Sequence, residues 1–510
     1  MQLFKYKYII SLSLILGLSS CSRNNLNLNP HDQLSQGTFW KTQQDGQLAL
    51  TGCYHTLATG YFNMNNFAAW DALTDDSWTL ENDIGAQSAM IAPITSTTGG
   101  IITGFYNTTY KAIGVCNYFL DNIGSVDVPA SQLDEWKAEV LFLRSFYYFY
   151  LTQFYGDVPL TLHSYTLSDS LLPKSPKADV ENQILGDLNT AIQSLPDQAY
   201  TDGHVVKGTA LMLKAKIALY DNNFQDAASL TSQIMQSGTF SLYPDYYTLF
   251  LTKGQGADNK EIMFSVRYLS PNDENQSNIQ WGWYLGVSPF QNLVDAYECT
   301  DGLPITQSPL YNPAQPYSNR DPRLNATIVV PGSSYGFGPD GAAKWDQRRV
   351  LIQSPLLYNI RKYVDSTIQG VSASQHCEND VVIFRYADVL LSYAEAQNEN
   401  SGPDASVYQA VNDVRTRPSV NLPPLASGLS QAQMRDTIRH ERRIELAFES
   451  QRWLDLKRWN LGVEKIGAIG TDQSPVKYVF LPNNYLWPFP QSEIDYYKAH
   501  GHDLGQNPGY

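Results

Sequence analysis

The sequence predicts a mainly α fold in which helix pairs form a scaffold, interrupted by a long irregular, loop-rich region with a few short strands. Two observations carry this. Residues 42–59, 105–123, 131–155, 178–195, 207–220, 224–236, 386–399, 405–416 and 431–448 place apolar side chains three and four apart, the period of a helix with one buried face. Between about 242 and 385 the period is lost. Gly, Pro and Asn crowd runs such as DGLPITQSPLYNPAQPYSNRDPR, and only short strand-like runs, IMFSVRY and ATIVV, stand between them.

At the start, Lys5 and Lys7 precede an uncharged run, YIISLSLILGL, that leads into Leu18, Ser19, Ser20 and Cys21. A charged start, an apolar run of this length and small residues read as an export signal and not as a membrane span. Because the small residues stop at a cysteine, the arrangement resembles a bacterial lipobox. In that reading residues 1–20 are removed and Cys21, carrying lipid, anchors the mature chain to a membrane that it does not cross. Residues 21–40 are polar and Asn-rich, suited to a tether.

Helical parts follow at 41–241 and 386–510, with the irregular part, 242–385, between them. The clearest pair is KGTALMLKAKIALYDNNFQDAASLTSQIMQSG. Leu211, Ala215, Ala218 and Leu219 form one stripe, Asn222 and Asn223 turn the chain, and Ala227, Leu230 and Ile234 form the second. The small Ala227 suits a close helix crossing, and the unit resembles a tetratricopeptide repeat. FRYADVLLSYAEAQNENSGPDASVYQAVNDVRTR gives another pair, with Ala394 and Ala410 at the crossing.

Lys and Arg number 35 against 50 Asp and Glu, a formal net charge of −15. Loss of Lys5 and Lys7 with the signal takes this to −17. Phosphate backbones need a basic patch, so this balance argues against nucleic acid as partner. Cys53, Cys116, Cys299 and Cys377 are far apart, without zinc-ligand spacing, and read as buried small hydrophobes. Tyr 33, Phe 20 and Trp 10 make aromatic residues 12% of the chain. Most are assigned to helix packing, in runs such as FLRSFYYFYLTQFY.

Enzyme motifs are weak. Gly336, Gly338 and Gly341 match a dinucleotide fingerprint as a string, but Pro339 lies inside it and no strand-turn-helix unit surrounds it. His440 and Glu441 begin like a zinc-protease helix, yet Ile444 stands where the second ligand belongs. His500 and His502 have no third ligand nearby. A distant pair of catalytic carboxylates leaves no local motif, so a surface glycoside hydrolase stays open as an alternative.

Residues 439–460 read RHERRIELAFESQRWLDLKRWN, in which Arg442 can reach Glu445, Asp455 can reach Arg458, and Trp453 and Trp459 close against the core. This segment resembles the signature of the SusD/RagB-like family of outer-membrane nutrient-binding lipoproteins. Further segments agree in order: TFWKTQQDGQLALTGCYHTL, FRYADVLLSYAEAQNE, YLWPFPQSEID and the final QNPGY, with Cys21 where the family's lipidated cysteine stands. The resemblance implies a lipid-anchored protein on the outer face of a Gram-negative outer membrane. It would capture oligosaccharides, pass them to a SusC-type TonB-dependent transporter, use no cofactor or metal, and cleave nothing. A peptide or glycopeptide receptor of the same family is the remaining alternative.

Sugar rings present apolar C–H faces and hydroxyl rims, so a site needs aromatic platforms and a few hydrogen-bonding groups. Two stretches offer that mixture outside helical periodicity. One holds Trp70, Asp71, Asp75 and Trp78; the other holds Trp281, Trp283 and Tyr284, with Tyr335, Phe337 and Trp345 further on. Trp78, Trp283 and Tyr284 are expected as platform, with Trp281, Tyr335 and Trp345 beside them and Asp71 and Asp75 accepting sugar hydroxyls. Trp281 and Trp283 would face one side of a strand. On this reading Trp78→Ala or Trp283→Ala weakens binding and leaves the melting temperature unchanged. A polyanionic glycan would require Arg320, Arg323, Arg348 and Arg349 to gather into a patch.

Overall fold

A computed structural model describes residues 39–79, 84–164, 171–283, 286–333, 357–368 and 375–510, with the backbone alone for Trp283. Cys21 lies outside the described residues. Among the described residues nine helices follow the periodic segments, α1 Gln43–Thr59, α2 Gly100–Asn122, α3 Ala130–Tyr155, α4 Lys177–Ser194, α5 Lys207–Tyr220, α6 Phe224–Gln236, α7 Tyr386–Ser401, α8 Ala405–Arg415 and α9 Gln431–Glu445, and two further helices, α10 Arg452–Arg458 and α11 Gln491–Ala499, stand outside them. Thr42 starts α1 with a capping box in which its side chain accepts from the Asp45 backbone N–H and Asp45 returns the bond.

The helix α3 is the centre of the molecule. Its residues from Phe142 onward are buried on every face, because α2, α4 and the aromatic segment around Trp487 pack around it. Trp487 stacks on Phe154 at 4.1 Å with the planes 8° apart. The aromatic run is therefore core, as expected from its sequence.

The predicted pairs form as helix hairpins. Between α5 and α6, Asn222 takes the left-handed conformation at φ 59°, and the Asn223 side chain caps α6. Ala227, Ala394 and Ala410 are fully buried. The α6 helix packs on α7, although about 150 residues separate them. The irregular part is thus an insertion between successive helix pairs of one stack. Helices α7, α8 and α9 enclose a small apolar core of their own around Leu391, Val411 and Ile438.

Among the described residues the strands are short and come in four antiparallel pairs: β1 Ser77–Thr79 with β5 Val287–Pro289, β2 Val158–Pro159 with β3 Lys174–Ser175, β4 Ile262–Val266 with β8 Val381–Arg385, and β6 Ile328–Val329 with β7 Asn359–Ile360. The β4–β8 pair brackets most of the insertion and delivers Arg385 into the interior. Cys53, Cys116, Cys299 and Cys377 are buried thiols.

The 439–460 segment departs from the predicted pairing. Helix α9 stops at Glu445, not 448, and residues 446–451 form a turn in which Phe448 and Ser450 hold left-handed conformations at φ 63° and 58°. Non-glycine residues adopt this conformation only when their surroundings fix them. Here the Phe448 N–H donates to Asp71, its carbonyl accepts from the Tyr363 hydroxyl at 2.8 Å, and the Ser450 hydroxyl donates to the Phe67 carbonyl. Glu445 faces away from Arg442. Its carboxylate accepts from Arg385 and Arg417, each at 2.7 Å, and from Arg323 at 2.9 Å. Glu449 accepts from Arg385 at 2.6 and 2.8 Å and from Lys362 at 2.7 Å. Arg442 instead bonds Asp388 at 2.9 Å and Asp455 at 3.0 Å. The expected Asp455–Arg458 pair forms at 2.9 Å. Trp453 is buried, whereas Trp459 is only partly covered.

Removing one partner of a buried ion network leaves the others uncompensated and costs about 3–5 kcal/mol. Glu445→Gln is therefore expected to lower unfolding stability by that order, read by urea denaturation; an unchanged midpoint contradicts the role given to Glu445. Burial alone would raise the carboxyls of Glu445, Asp388, Asp455 and Asp75, but neighbouring arginines, with Lys216 for Asp388, hold them below the usual carboxylate range. Groups depressed in the fold stabilise it above their unfolded pKa of about 4 and lose that contribution as pH falls. Asp380 acts oppositely, since burial raises it to about 6 against the pull of Arg267. Stability should thus rise as pH falls from about 6 to 4, while Asp380 takes up its proton, and fall steeply below about 4 as the depressed carboxylates are protonated, which thermal melts across pH 7 to 3 will show.

Candidate functional site

The two stretches picked out in the sequence meet in the fold. Strand β1 pairs with β5 so that Ser77 lies opposite Pro289, Trp78 opposite Ser288 and Thr79 opposite Val287. The pairing is held at its lower end by the Phe290 N–H, which donates to the Asp76 carbonyl at 2.8 Å, and by Asn292, whose amide donates to the Asp75 carbonyl at 3.0 Å. In the sequence β1 is followed by residues 80–83 and β5 is preceded by 284–285, which lie outside the described residues.

The described members of the expected platform are interior groups, and the structure corrects their roles. Trp78 is 4% exposed and Trp281 is fully buried. Asp71 receives the Phe448 N–H, and burial, reinforced by Asp76, pushes its carboxyl well up. Asp75 accepts from Arg452 at 2.9 and 2.8 Å, which together with Arg443 overcomes the effect of burial and holds it low. Asp76 is bonded by Arg443 at 2.7 Å. These carboxylates are spent on arginines and on a backbone turn, so they have no lone pair facing solvent for a sugar hydroxyl. The strand premise for Trp281 also fails: it sits in a π-helical turn, Asn278–Trp283, and its carbonyl accepts from Asn359 at 2.6 Å. Such turns are rare and concentrate at functional sites.

The Trp283 side chain, Tyr284, Tyr335 and Trp345 lie outside the described residues, as do Phe337, Arg348 and Arg349. Arg320 and Arg323 do not form the basic patch. Arg320 is buried and donates to the carbonyls of Val294, Tyr297 and Pro316. Arg323 is consumed by Asp321, Glu441 and Glu445.

A recess of about 870 Å3 lies between α2 and α11, within the range of ligand-binding clefts. Tyr106, Tyr110 and Tyr118 come from one face of α2, where their separations of four and eight residues align them, and Tyr496 and Glu493 come from α11. The Tyr110 hydroxyl donates to the Pro159 carbonyl at 2.6 Å, which fixes its ring. Burial raises the Glu493 carboxyl. Flat aromatic faces beside a carboxyl and the amide of Asn107 are chemistry that suits a sugar. Sequence reasoning passed over this recess because α2 reads as packing and α11 was not predicted. The available signal was a stripe of tyrosines on α2 where leucine or isoleucine would serve a core.

Comparison with known proteins agrees with this architecture. The family model described as "SusD family" matches residues 249–510, more than half of the chain, and that described as "Starch-binding associating with outer membrane" matches residues 31–219. SusD-like protein P2 of Formosa agariphila is 28% identical over 99% of this chain and 100% of its own length. A solved SusD-like protein from Bacteroides fragilis superposes with a TM-score of 0.79 at 28% identity, covering 95% of this chain and 100% of the other. A SusD-like carbohydrate binding protein from the same species gives 0.77 at 26% identity, covering 90% and 99%. With that match and a scaffold of helix hairpins around α3, the chain belongs to the SusD/RagB family.

Proposed function

We propose that this protein is a cell-surface glycan-binding lipoprotein. Lipid on Cys21 anchors it to the outer face of the outer membrane, where it captures oligosaccharides and hands them to a SusC-type TonB-dependent transporter. The observation that carries the reading is membership of a family in which a relative alike over nine-tenths of this chain is described as carbohydrate binding. The outer-membrane association named for the second family model, and the signal ending at Cys21, support the location. The reading gives the protein no chemistry to perform. It binds and releases, so its side chains need to match sugar surfaces and not to stabilise a transition state.

Two surfaces compete for the sugar. One is Trp283 with Tyr284, which precede β5 in the chain. The β1–β5 pair itself has a buried base of Trp78, Trp281 and arginine-bound aspartates, the rigid support that a binding segment next to it in the chain requires. The other is the tyrosine-walled recess between α2 and α11.

Calorimetry of the protein starting after Cys21 should give saturable binding to one oligosaccharide class on an array that also carries peptides, with no new reducing ends after long incubation. Sugar release would favour a glycosidase, and binding confined to peptides would favour the alternative receptor. Trp283→Ala is expected to weaken binding at least tenfold without moving the melting temperature. If Tyr118→Ala or Tyr496→Ala does so instead, the recess is the site. Trp78→Ala, now an interior truncation, should cost about 3–5 kcal/mol of stability. Cys21→Ser should move the full-length protein from the membrane fraction to the soluble one; retention in the membrane would remove the lipid anchor from the reading.

A further inference from the structure

At the turn between α5 and α6, a second recess of about 390 Å3 is built from the ends of four helices. Asn222 and Phe224 come from the turn, Glu395 and Glu399 from α7, Arg435 and Arg439 from α9, and Arg458 and Trp459 from the end of α10. The charges are nearly all paired. Arg458 grips Glu395 through two bonds of 2.5 and 2.6 Å, and the Trp459 indole N–H adds a third to the same carboxylate at 2.7 Å. Arg435 grips Glu399 through bonds of 2.7 and 2.5 Å.

Arg439 is left over. Its guanidinium lies 4.8 Å from the centroid of the Trp459 ring, on which Arg458 also rests at 4.7 Å. Its Nε is buried without a hydrogen-bond acceptor, and among the described residues no carboxylate comes within 4.0 Å of the guanidinium. Three guanidiniums thus face two carboxylates, a local charge of about +1 in a chain of net charge −15. Burial, together with Arg458 and Arg435 and against the pull of Glu395 and Glu399, lowers the Arg439 pKa, the mark of a cation lacking its counter-charge. A planar guanidinium offers a fork of parallel N–H donors that matches a carboxylate or a phosphate, and on the glycan reading the carboxylate is the group that a sugar ring carries as a uronic acid. The exposed Asn222, held at φ 59°, makes no side-chain hydrogen bond among the described residues and can supply a further donor, and the half-buried Phe224 ring an apolar wall.

We propose that this recess binds the carboxylate of a uronic-acid residue, with Arg439 as the charged contact, Asn222 as a second donor and Phe224 against the sugar ring. The inference rests on the glycan reading and adds an acidic sugar to it, at a place separate from both surfaces described above.

The test is calorimetry with glucuronate, using glucose and acetate as controls, on the wild type, Arg439→Gln, Arg439→Lys and Asn222→Ala. Glucuronate should bind the wild type, more weakly as salt is raised, and Arg439→Gln should lose at least tenfold in affinity. Arg439→Lys should recover only part of it, since an ammonium keeps the charge without the fork. Because Arg439 has no protein ion pair to lose and gives up only its contact with the Trp459 ring, Arg439→Gln should melt only slightly below the wild type; if it melts much lower, Asn222→Ala still reports on the recess and should weaken glucuronate severalfold. Glucuronate binding that ignores both substitutions, or no binding, overturns the proposal. Acetate bound as tightly as glucuronate overturns the assignment to a sugar. Capture of a neutral oligosaccharide on the array should be unchanged in Arg439→Gln. That arm separates failure of this site, in which neutral capture persists, from failure of the glycan reading, in which no glycan binds at all.

Discussion

The fold depends on how the chain turns after Glu445. At that point a helix of the repeat stack ends in the interior, and one carboxylate collects guanidiniums from three separate stretches: Arg323 in the insertion, Arg385 at the end of β8 and Arg417 after α8. Four residues on, Glu449 takes Arg385 again and adds Lys362. The backbone between them is bent through left-handed Phe448 and Ser450, and it is there that the N-terminal half attaches, through Asp71 and Phe67. Helix stack, insertion and N-terminal half therefore share one set of contacts about six residues long. Replacing a whole buried ion network by apolar groups of the same shape is commonly neutral or stabilising, whereas removing one member is costly. On that logic the network's principal contribution is specificity of partners: it determines which segments meet.

This explains which features were legible in the sequence. The helix pairs were, because a period of three and four residues states which face is buried without reference to the partner. The bounds of α5 and α6 match the apolar stripes residue for residue, and Ala227, Ala394 and Ala410 are fully buried, as small residues at a close helix crossing should be. The turn at 446–451 was not, since LAFESQ continues the helical stripe through Ala447 and Phe448 and carries no glycine to mark the left-handed positions. Its geometry is imposed by Asp71, 377 residues away. For the same reason Arg442 was assigned to its helical neighbour Glu445. Local spacing permits that pair, but each member has better partners in the interior.

The described members of the candidate site were misjudged from sequence, and the physics of a carboxylate says why. An aspartate among tryptophans in a loop looks the same in sequence whether it awaits a sugar hydroxyl or an arginine from the far end of the chain. Asp75 has Arg452 and Asp71 has the Phe448 N–H, so the acids that looked available are bound to the segment 446–452 at the far end of the chain. What sequence reasoning did find is that the early and mid-chain aromatic stretches belong together, and the strand pair joins them. The recess between α2 and α11 escaped because its walls are nearly four hundred residues apart and neither alone is concave.

Arg443 and Arg452 flank the turn that organises the ionic network, and their side chains are the ones that hold Asp76 and Asp75. The support beneath the β1–β5 pair and the central network are therefore built from one short segment, 441–452. A strand pair on a mobile base would have to be ordered each time something bound beside it, at an entropic cost that lowers affinity. The buried contacts of Arg452 with Asp75 and of Arg443 with Asp76 remove that cost from the base. Changes within 441–452 therefore act on the whole fold, because the same turn holds both the ionic network and the strand pair.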